Sequence, residues 1–112
     1  MAVEREATSR GAVYLVQLDP TRGSEIRKTR PCLIVSPDEL NHHLRTVIVA
    51  PMTTGGHAYP WRVQFRFQGR TGFVAIDQLR TVDTERLVRR LGHLTPGTVT
   101  SVLAILQEMF AP

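Results

Sequence analysis

The sequence predicts a mainly β domain: a small, mostly antiparallel sheet that curls on itself, with short helical turns and a C-terminal α-helix. The apolar runs are short and rich in β-branched residues, which is typical of strands. The run 61–67 alternates apolar and polar residues, and the apolar residues after Thr95 recur at helical spacing. A chain of 112 residues has room for one such domain with one core.

The strands are predicted from apolar runs that end at turn residues. The first run ends at Asp19-Pro20, because proline offers no donor to a β-ladder and restricts the residue before it. In the run 61–67, Trp61 and its alternate neighbours are predicted to face the core, while two arginines lie on the polar face. For Trp61, packing against a second subunit and stacking on a base are the alternatives. The predicted strands are 12–18, 32–36, 46–52, 61–67, 73–76, 79–82 and 87–94.

Helical segments are predicted at two places. Ser36 with Glu39 three residues later matches a capping box for a short turn. Thr95-Pro96 predicts the start of an amphipathic helix that runs to Phe110. This order of elements fits an SH3-like small barrel with the helix packed against one side.

Composition and charge limit the partner and the compartment. The formal net charge is +4, and arginine supplies thirteen of the fourteen cations, which suits binding to phosphates and bases. A basic surface that is merely solvated explains the composition equally well. Residues 1–10 form a charged segment unlike a signal peptide, which we expect to be a flexible tail before a single domain at 11–112. No membrane span is predicted, and a cytoplasmic location is expected.

No cofactor or metal is predicted. Cys32 is the one cysteine, so an intramolecular disulfide is excluded, and its place in an apolar run predicts a buried hydrophobic residue. The four histidines lack the spacing of a zinc site, and no glycine pattern for a phosphate loop is present.

The loop 19–31 is the strongest candidate functional segment, since long polar loops in compact domains are usually functional or disordered. Its charged residues suit phosphate binding with a possible base nearby; they are Asp19, Arg22, Glu25, Arg27, Lys28 and Arg30.

Metal-free RNA cleavage through the 2′-hydroxyl is the chemistry that these residues suit. It needs a base, a proton donor, and donors to the non-bridging phosphate oxygens. Arg30 fits the last task and Thr53 supplies a hydroxyl donor. Glu25 or Asp77 is the candidate base, and the alternative is an ordinary ion pair between Arg30 and one of these carboxylates.

Four stretches of the sequence resemble the MazF/PemK (Kid) family of toxin endoribonucleases, the toxic halves of type II toxin–antitoxin pairs. They are RGAVYLVQLDPTRGSEIRKTRPCLIVS, TVIVAPMTT, YPWRV and IDQLRTVD, within a resemblance that runs from about Arg10 to the C-terminus. The most specific part is G-S-E with R-P starting five residues after the glutamate, and the D-Q-L-R-T run supports it.

The resemblance implies roles for individual residues. Arg30 and Thr53 match the family's essential arginine and threonine, and Glu25 matches a glutamate that supports activity. Asp77 and Gln78 match a pair close to the site, and Asp19 lies where the family's mobile loop begins. With the loop cations Arg22, Arg27 and Lys28, and with His57 in a loop near Thr53, they form the predicted RNA-binding set. Some relatives carry an arginine two residues before the aspartate for acid–base work, and Ala75 stands there in this chain.

The resemblance also implies an assembly and a product. We expect a homodimer on the MazF/PemK/CcdB-like fold, with single-stranded RNA in the groove at the dimer interface. Cleavage is expected to be sequence-specific and metal-independent, leaving a 2′,3′-cyclic phosphate and a 5′-hydroxyl. A MazE-like antitoxin is expected to occupy the same groove. The cationic residues Arg27 and Lys28 predict an altered sequence preference.

Two other functions remain open at this point. A CcdB-like poison on a related barrel would act on gyrase without catalysis, and a basic RNA-binding module would bind without cutting. The joint presence of Glu25, Arg30 and Thr53 favours the nuclease.

Overall fold

A computed structural model describes residues 8–112, which form seven strands and two α-helices. The elements are β1 (Ala12–Gln17), β2 (Thr29–Ile34), α1 (Asp38–His43), β3 (Thr46–Thr54), β4 (Arg62–Phe67), β5 (Arg70–Ala75), β6 (Arg80–Asp83), β7 (Leu87–His93) and α2 (Pro96–Phe110). Short 3-10 turns at Ile76–Gln78 and Thr84–Arg86 flank β6.

The strands form one antiparallel sheet in the order β4-β5-β3-β2-β1-β7, with β6 also paired to β3. The strand β3 pairs with β6 through residues 46–49 and with β5 through residues 52–54. Because Val74 is opposite Met52 and Arg80 is opposite Val49, residues 75–79 bulge out of this ladder. The bulge contains the 3-10 turn that carries Asp77 and Gln78.

The mainly β fold with a C-terminal helix is confirmed, but the sheet does not close into a full barrel. Within residues 8–112 the outer strands β4 and β7 share no ladder, and they meet through side chains. The Gln68 amide donates to the Leu91 carbonyl at 3.1 Å, and a Cβ on Gly92 would lie 3.1 Å from the Phe67 ring. The sheet is therefore strongly curled, with its two ends in contact.

Apolar side chains fill both faces of the curled sheet. One buried cluster contains Ala12, Tyr14, Val16, Leu18, Cys32, Ile34, Val47, Val49, Val82 and Leu87. The other contains Val13, Leu33, Val35, Ala50, Met52, Phe65, Val74, Ile76, Leu94 and Val102. The helix α2 contributes Val102 to the second cluster, and Thr95 caps it by accepting from the Thr98 N–H, as predicted.

The strand boundaries differ from the prediction by one to three residues, and two of these differences concern the predicted catalytic residues Arg30 and Thr53. β2 begins at Thr29 instead of residue 32, because the ladder with β1 continues through the pairs Val16–Arg30 and Leu15–Pro31. β3 continues through Pro51 to Thr54. The strand tolerates Pro51 because this position lies beside the bulge, where the ladder between β3 and its neighbours β5 and β6 is already interrupted. Arg30 and Thr53 therefore both lie on strands, where the backbone is more rigid than in a loop.

The predicted capping box is wrong. The helix α1 begins at Asp38 after Pro37, with no side-chain cap. Ser36 is buried instead, where its hydroxyl accepts from the Ile48 N–H at 3.0 Å and bonds the buried Asn41 side chain. Satisfying these buried polar groups takes precedence over capping an exposed helix end.

The folded part of the chain begins before the predicted boundary at Gly11. Thr8 is buried, and the Arg10 guanidinium donates to the Val35 carbonyl at 2.9 Å. The Arg10 N–H also donates to the Asp38 carboxylate at 2.7 Å. These contacts join residues 8–10 to the domain, and the rest of the predicted tail, residues 1–7, lies outside the described residues.

Candidate functional site

Arg30 and Thr53 lie just beyond the paired part of β2 and β3. The paired residues are Cys32–Pro51, Leu33–Ala50 and Ile34–Val49, and the same register continued by two residues sets Arg30 opposite Thr53. Opposite residues of an antiparallel pair point to the same face, with Cβ atoms about 4.5–5.5 Å apart. Both side chains are half-buried, so each is partly accessible at the surface.

The neighbouring strands extend this face. Thr53 is opposite Phe73 on β5, and Phe73 is opposite Gln64 on β4. Arg62 and Arg66 share the face of Gln64 because side chains alternate along a strand. We call this surface the polar face; it consists of Arg30, Thr53, Arg62, Gln64 and Arg66. The opposite face of the same strands belongs to the core.

The side chains of Arg30 and Thr53 make few contacts. The Arg30 Nε donates to the Arg27 carbonyl at 3.0 Å, and the Thr53 hydroxyl is 3.4 Å from the Phe73 carbonyl, which is a weak hydrogen bond. Within residues 8–112, Arg30 forms no ion pair with Glu25 or Asp77, so the ion-pair alternative is wrong. The guanidinium keeps donors available for an anion.

Glu25 lies away from this pair. Its carboxylate accepts from the Arg22 N–H at 2.6 Å and closes a tight turn in the loop. Glu25 lines a cleft of about 510 Å³ with Asp77 and Gln78, whereas Arg30 lines a separate cleft of about 490 Å³ with Thr54 and Arg70. The three predicted catalytic side chains are therefore not brought into one cleft.

The loop between β1 and β2 is held at its base by Asp19. Hydrogen bonds from the Lys28 N–H and the Thr21 hydroxyl lower the pKa of the Asp19 carboxyl. The Arg86 guanidinium donates to the Asp19 carbonyl at 2.6 Å. Asp19 thus has a structural role in the loop that its position before a proline did not reveal. The contact of Arg86 with this loop was not predicted, because Arg86 lies in a turn far along the sequence.

Gln78 also holds this loop. Its side-chain oxygen accepts from the Ile26 N–H at 3.2 Å. The other cations predicted to bind RNA, Arg22, Arg27 and Lys28, are exposed on the loop, and His57 is exposed in the segment after β3. The loop therefore presents its charges to solvent while Asp19 and Gln78 fix its position.

Asp77 is paired with Arg62. The two Arg62 donors Nε and Nη2 each lie 2.9 Å from a carboxylate oxygen of Asp77, and this pairing raises the pKa of the guanidinium. Arg62 is opposite Ala75 in the β4–β5 ladder. The neighbouring strand therefore supplies a guanidinium to Asp77, in place of the one that some relatives carry at the position of Ala75.

Cys32 is buried between the polar face and the core, and burial raises the pKa of its thiol to about 12 despite the opposing charges of Arg80 and Arg30. The thiol is therefore protonated and unreactive, as the sequence predicted. Arg80, which sequence reasoning passed over, donates to the Leu18 carbonyl at 3.1 Å. The position of Arg80 within the D-Q-L-R-T run was the sequence feature that could have indicated its role.

The described part of the chain contains no group of three or more His, Cys, Asp or Glu side chains arranged to hold a metal ion. Among its helices, none is both long enough and apolar enough to cross a membrane.

Comparison with known proteins decides the family. A family model described as a PemK-like, MazF-like toxin of type II toxin–antitoxin systems matches residues 9–110. The chain belongs to this toxin family. The match begins at Ser9, in agreement with the start of the folded part of the chain.

Named relatives of this PemK/MazF chain agree with the family match. The chain is 39% identical to endoribonuclease PemK from Escherichia coli, with 89% of this chain and 80% of that protein covered. It is 33% identical to endoribonuclease MazF from Staphylococcus epidermidis, covering 83% and 82%. The endoribonuclease toxin MazF of Escherichia coli K12 is 32% identical, covering 87% and 84%.

Solved structures show the same fold. MazF from Deinococcus radiodurans superposes with a TM-score of 0.80 at 24% identity, covering 90% of this chain and 94% of that one. A mycobacterial endoribonuclease in complex with its cognate antitoxin superposes with a TM-score of 0.78 at 28% identity, covering 93% and 96%.

Proposed function

We propose that this protein is the toxin of a type II toxin–antitoxin pair and cleaves single-stranded RNA without a metal ion, with Arg30 and Thr53 at the reacting phosphate. The endoribonuclease class rests on membership of the PemK/MazF family and on relatives that carry this name. The observation that supports the assignment of residues is the β2–β3 register: continued by two residues beyond the Cys32–Pro51 pair, it sets Arg30 opposite Thr53.

The reaction follows from the charges on this face. The 2′-oxygen of the substrate attacks the adjacent phosphorus, the bond from phosphorus to the 5′-oxygen breaks, and a cyclic phosphate forms. The 2′-hydroxyl loses a proton to a base, and the leaving 5′-oxygen gains one. Arg30 and Thr53 donate to the non-bridging oxygens, where negative charge grows. Arg30 is suited to electrostatic stabilisation instead of proton transfer, because a guanidinium keeps its protons in proteins.

Glu25 and Asp77 take different parts in this proposal. Asp77 is held by two hydrogen bonds to Arg62, so both of its carboxylate oxygens already have a partner. Glu25 is exposed, but its carboxylate is held by Arg22 and faces the neighbouring cleft. We therefore assign Glu25 a supporting role through the loop turn that it closes, and expect its removal to reduce activity less than removal of Arg30 or Thr53.

We also propose the partners that the family implies. The active form is a homodimer, the RNA lies along the polar face, and the loop cations Arg22, Arg27 and Lys28 contact its phosphates. A MazE-like antitoxin inhibits the toxin by covering this surface. The location is the cytoplasm, where messenger RNA is available.

The test is cleavage of a long single-stranded RNA by the purified protein in EDTA, with product ends mapped. We expect cuts with 2′,3′-cyclic phosphate and 5′-hydroxyl ends, and a loss of about 10²–10³ in rate for Arg30→Ala, comparable to the loss of one oxyanion donor. Arg45→Ala serves as a control because Arg45 is an exposed arginine outside the polar face. Intact RNA, together with stabilised gyrase–DNA complexes, would instead support the CcdB-like alternative.

A further inference from the structure

Two aromatic rings stack on each other at the surface, just before β4. The Tyr59 and Trp61 rings have centroids 5.0 Å apart and planes within 5° of parallel. Tyr59 is 41% exposed and Trp61 is 42% exposed, so neither ring is part of the core that the alternation of 61–67 predicted for Trp61. We call this pair the aromatic platform. Flat exposed rings are suited to stacking against another planar group.

The platform is fixed in place by the end of β4. The Arg62 N–H donates to the Tyr59 carbonyl at 3.0 Å, closing a turn through Pro60. The Arg62 guanidinium lies 5.8 Å from the centre of the Tyr59 ring while it holds Asp77 with two hydrogen bonds. Because these contacts exist in the described chain before any ligand binds, ordering the rings adds little to the cost of binding.

The platform adjoins the polar face. Arg62 belongs to the polar face and its guanidinium lies over the Tyr59 ring, and Thr53 is on the strand that leads into the loop carrying Tyr59. Arg62 and Arg66 supply cations for the phosphates of an RNA strand, and Tyr59 and Trp61 supply exposed rings for its bases. Single-stranded nucleic acids are commonly bound in this way, by cations along the backbone and aromatic rings against the bases.

The pocket beside Trp61 selects an uncharged occupant. It has a volume of about 420 Å³ and is lined by Trp61, Pro60, Ile105 and Met109, with the carboxylates of Asp77 and Glu108 at its border. These carboxylates disfavour a phosphate or an acidic peptide in the pocket. They are able to accept hydrogen bonds from the exocyclic amino group of a base.

We propose that Tyr59 and Trp61 form a stacking site for one nucleobase of the single-stranded RNA substrate, close to the cleaved phosphate. This inference rests on the proposed function for the identity of the substrate. It makes the aromatic platform a determinant of affinity and of sequence preference, separate from Arg30 and Thr53.

The test uses Trp61 as its own reporter, since it is the single tryptophan of the chain. The probe is a 2′-O-methyl RNA oligonucleotide, which lacks the 2′-hydroxyl proton and is not cleaved. We expect saturable quenching of Trp61 fluorescence, and no quenching by the same backbone with abasic positions. Equal quenching by the abasic probe, or no change of fluorescence on binding, would overturn the proposal.

Variants measure the contribution of each ring to binding of the labelled probe. Tyr59→Ala and Trp61→Leu are each expected to weaken binding by about 10-fold or more, from the usual contribution of one stacked base. Trp61→Phe keeps a flat ring and should retain most of the affinity. Leu44→Ala removes an equally exposed apolar side chain on another part of the surface and should leave binding unchanged. Unweakened binding by both ring variants would contradict the proposal.

Other occupants of the rings give different results. If the rings pack against a second copy of the chain, Trp61→Leu lowers the molecular mass in sedimentation, which contradicts the proposal. Quenching by an oligo-glutamate peptide but not by RNA would contradict it as well. Cleavage of unmodified RNA in EDTA is measured in parallel. Cleavage without quenching of Trp61 would contradict base stacking on the aromatic platform but not the nuclease function. Quenching without cleavage would contradict the nuclease function but not base stacking.

Discussion

The ion pair between Arg62 and Asp77 should contribute measurably to stability, and a double-mutant cycle tests this. Both contacts are 2.9 Å long, and the side chains are 17% and 31% exposed, so the pair is neither buried nor fully solvated. Exposed pairs contribute about 0.2–1 kcal/mol, whereas hydrogen bonds to charged groups contribute about 1.5–3 kcal/mol. Because the pair is bidentate and partly buried, we expect a coupling energy of about 1 kcal/mol, at the upper end of the range for exposed pairs.

The cycle consists of Arg62→Gln, Asp77→Asn and the double variant, each unfolded in urea. For a domain of this size, a change of about 1 kcal/mol in the free energy of unfolding corresponds to a change of roughly 4 °C in the melting temperature. The coupling should decrease in high salt, because the pair is partly solvated. Arg66→Gln is the matched control, since Arg66 is an exposed arginine on the same face of β4. A coupling near zero, or equal destabilisation by the control, would refute the reasoning.

Three further predictions follow from single residues. A Cβ on Gly72 would lie 1.8 Å from the Thr53 carbonyl oxygen. Gly72→Ala should therefore lower the free energy of unfolding, measured in urea, by about 3 kcal/mol or more. Gly97→Ala is the control: a Cβ there would meet open space, so the substitution should be neutral or stabilising by about 1 kcal/mol. The thiol of Cys32, with its pKa raised to about 12, should resist alkylation at pH 8 until the protein is unfolded. The pKa of the Asp19 carboxyl is lower in the folded protein than in the unfolded chain. The ionised carboxylate therefore stabilises the fold fully above the ordinary carboxyl pKa, and this stabilisation is lost as the pH falls through the pKa of the folded state. In unfolding curves measured over a series of pH values, Asp19→Asn should remove this contribution to the loss of stability in acid.

The predicted strands and helix could be found because each depends on local sequence. The alternation along β4 and the Thr95-Pro96 start of α2 are signals within a few residues, and both elements formed as expected. The boundary of β2 was missed because Arg30 and Pro31 read as a polar loop, although the ladder with β1 is able to include them. Local polarity therefore misleads where a strand edge carries functional side chains.

The contacts of the candidate site were harder to predict because they join distant parts of the chain. The pairing of Arg62 with Asp77 depends on the β4–β5 register and on the bulge that follows β5, neither of which has a sequence signal. The exposure of Trp61 was missed for a similar reason: the strand begins one residue after it, so the alternation does not apply. Residue identities were accessible from the sequence, but their partners were not.

The bulge at Ile76–Gln78 links the two loops that border the polar face. Gln78 accepts from the Ile26 N–H of the β1–β2 loop, and Asp77 holds Arg62, which in turn positions Tyr59. A three-residue turn is anchored on both sides by the ladders with β3, so it can act as a rigid support for both loops. Because Asp77 and Gln78 have these contacts within the described chain, substitutions there should affect RNA binding by displacing the loop cations and the aromatic platform together. If Arg30 and Thr53 are the reacting groups, as proposed, Asp77 and Gln78 support the site from a turn outside the strands that carry them.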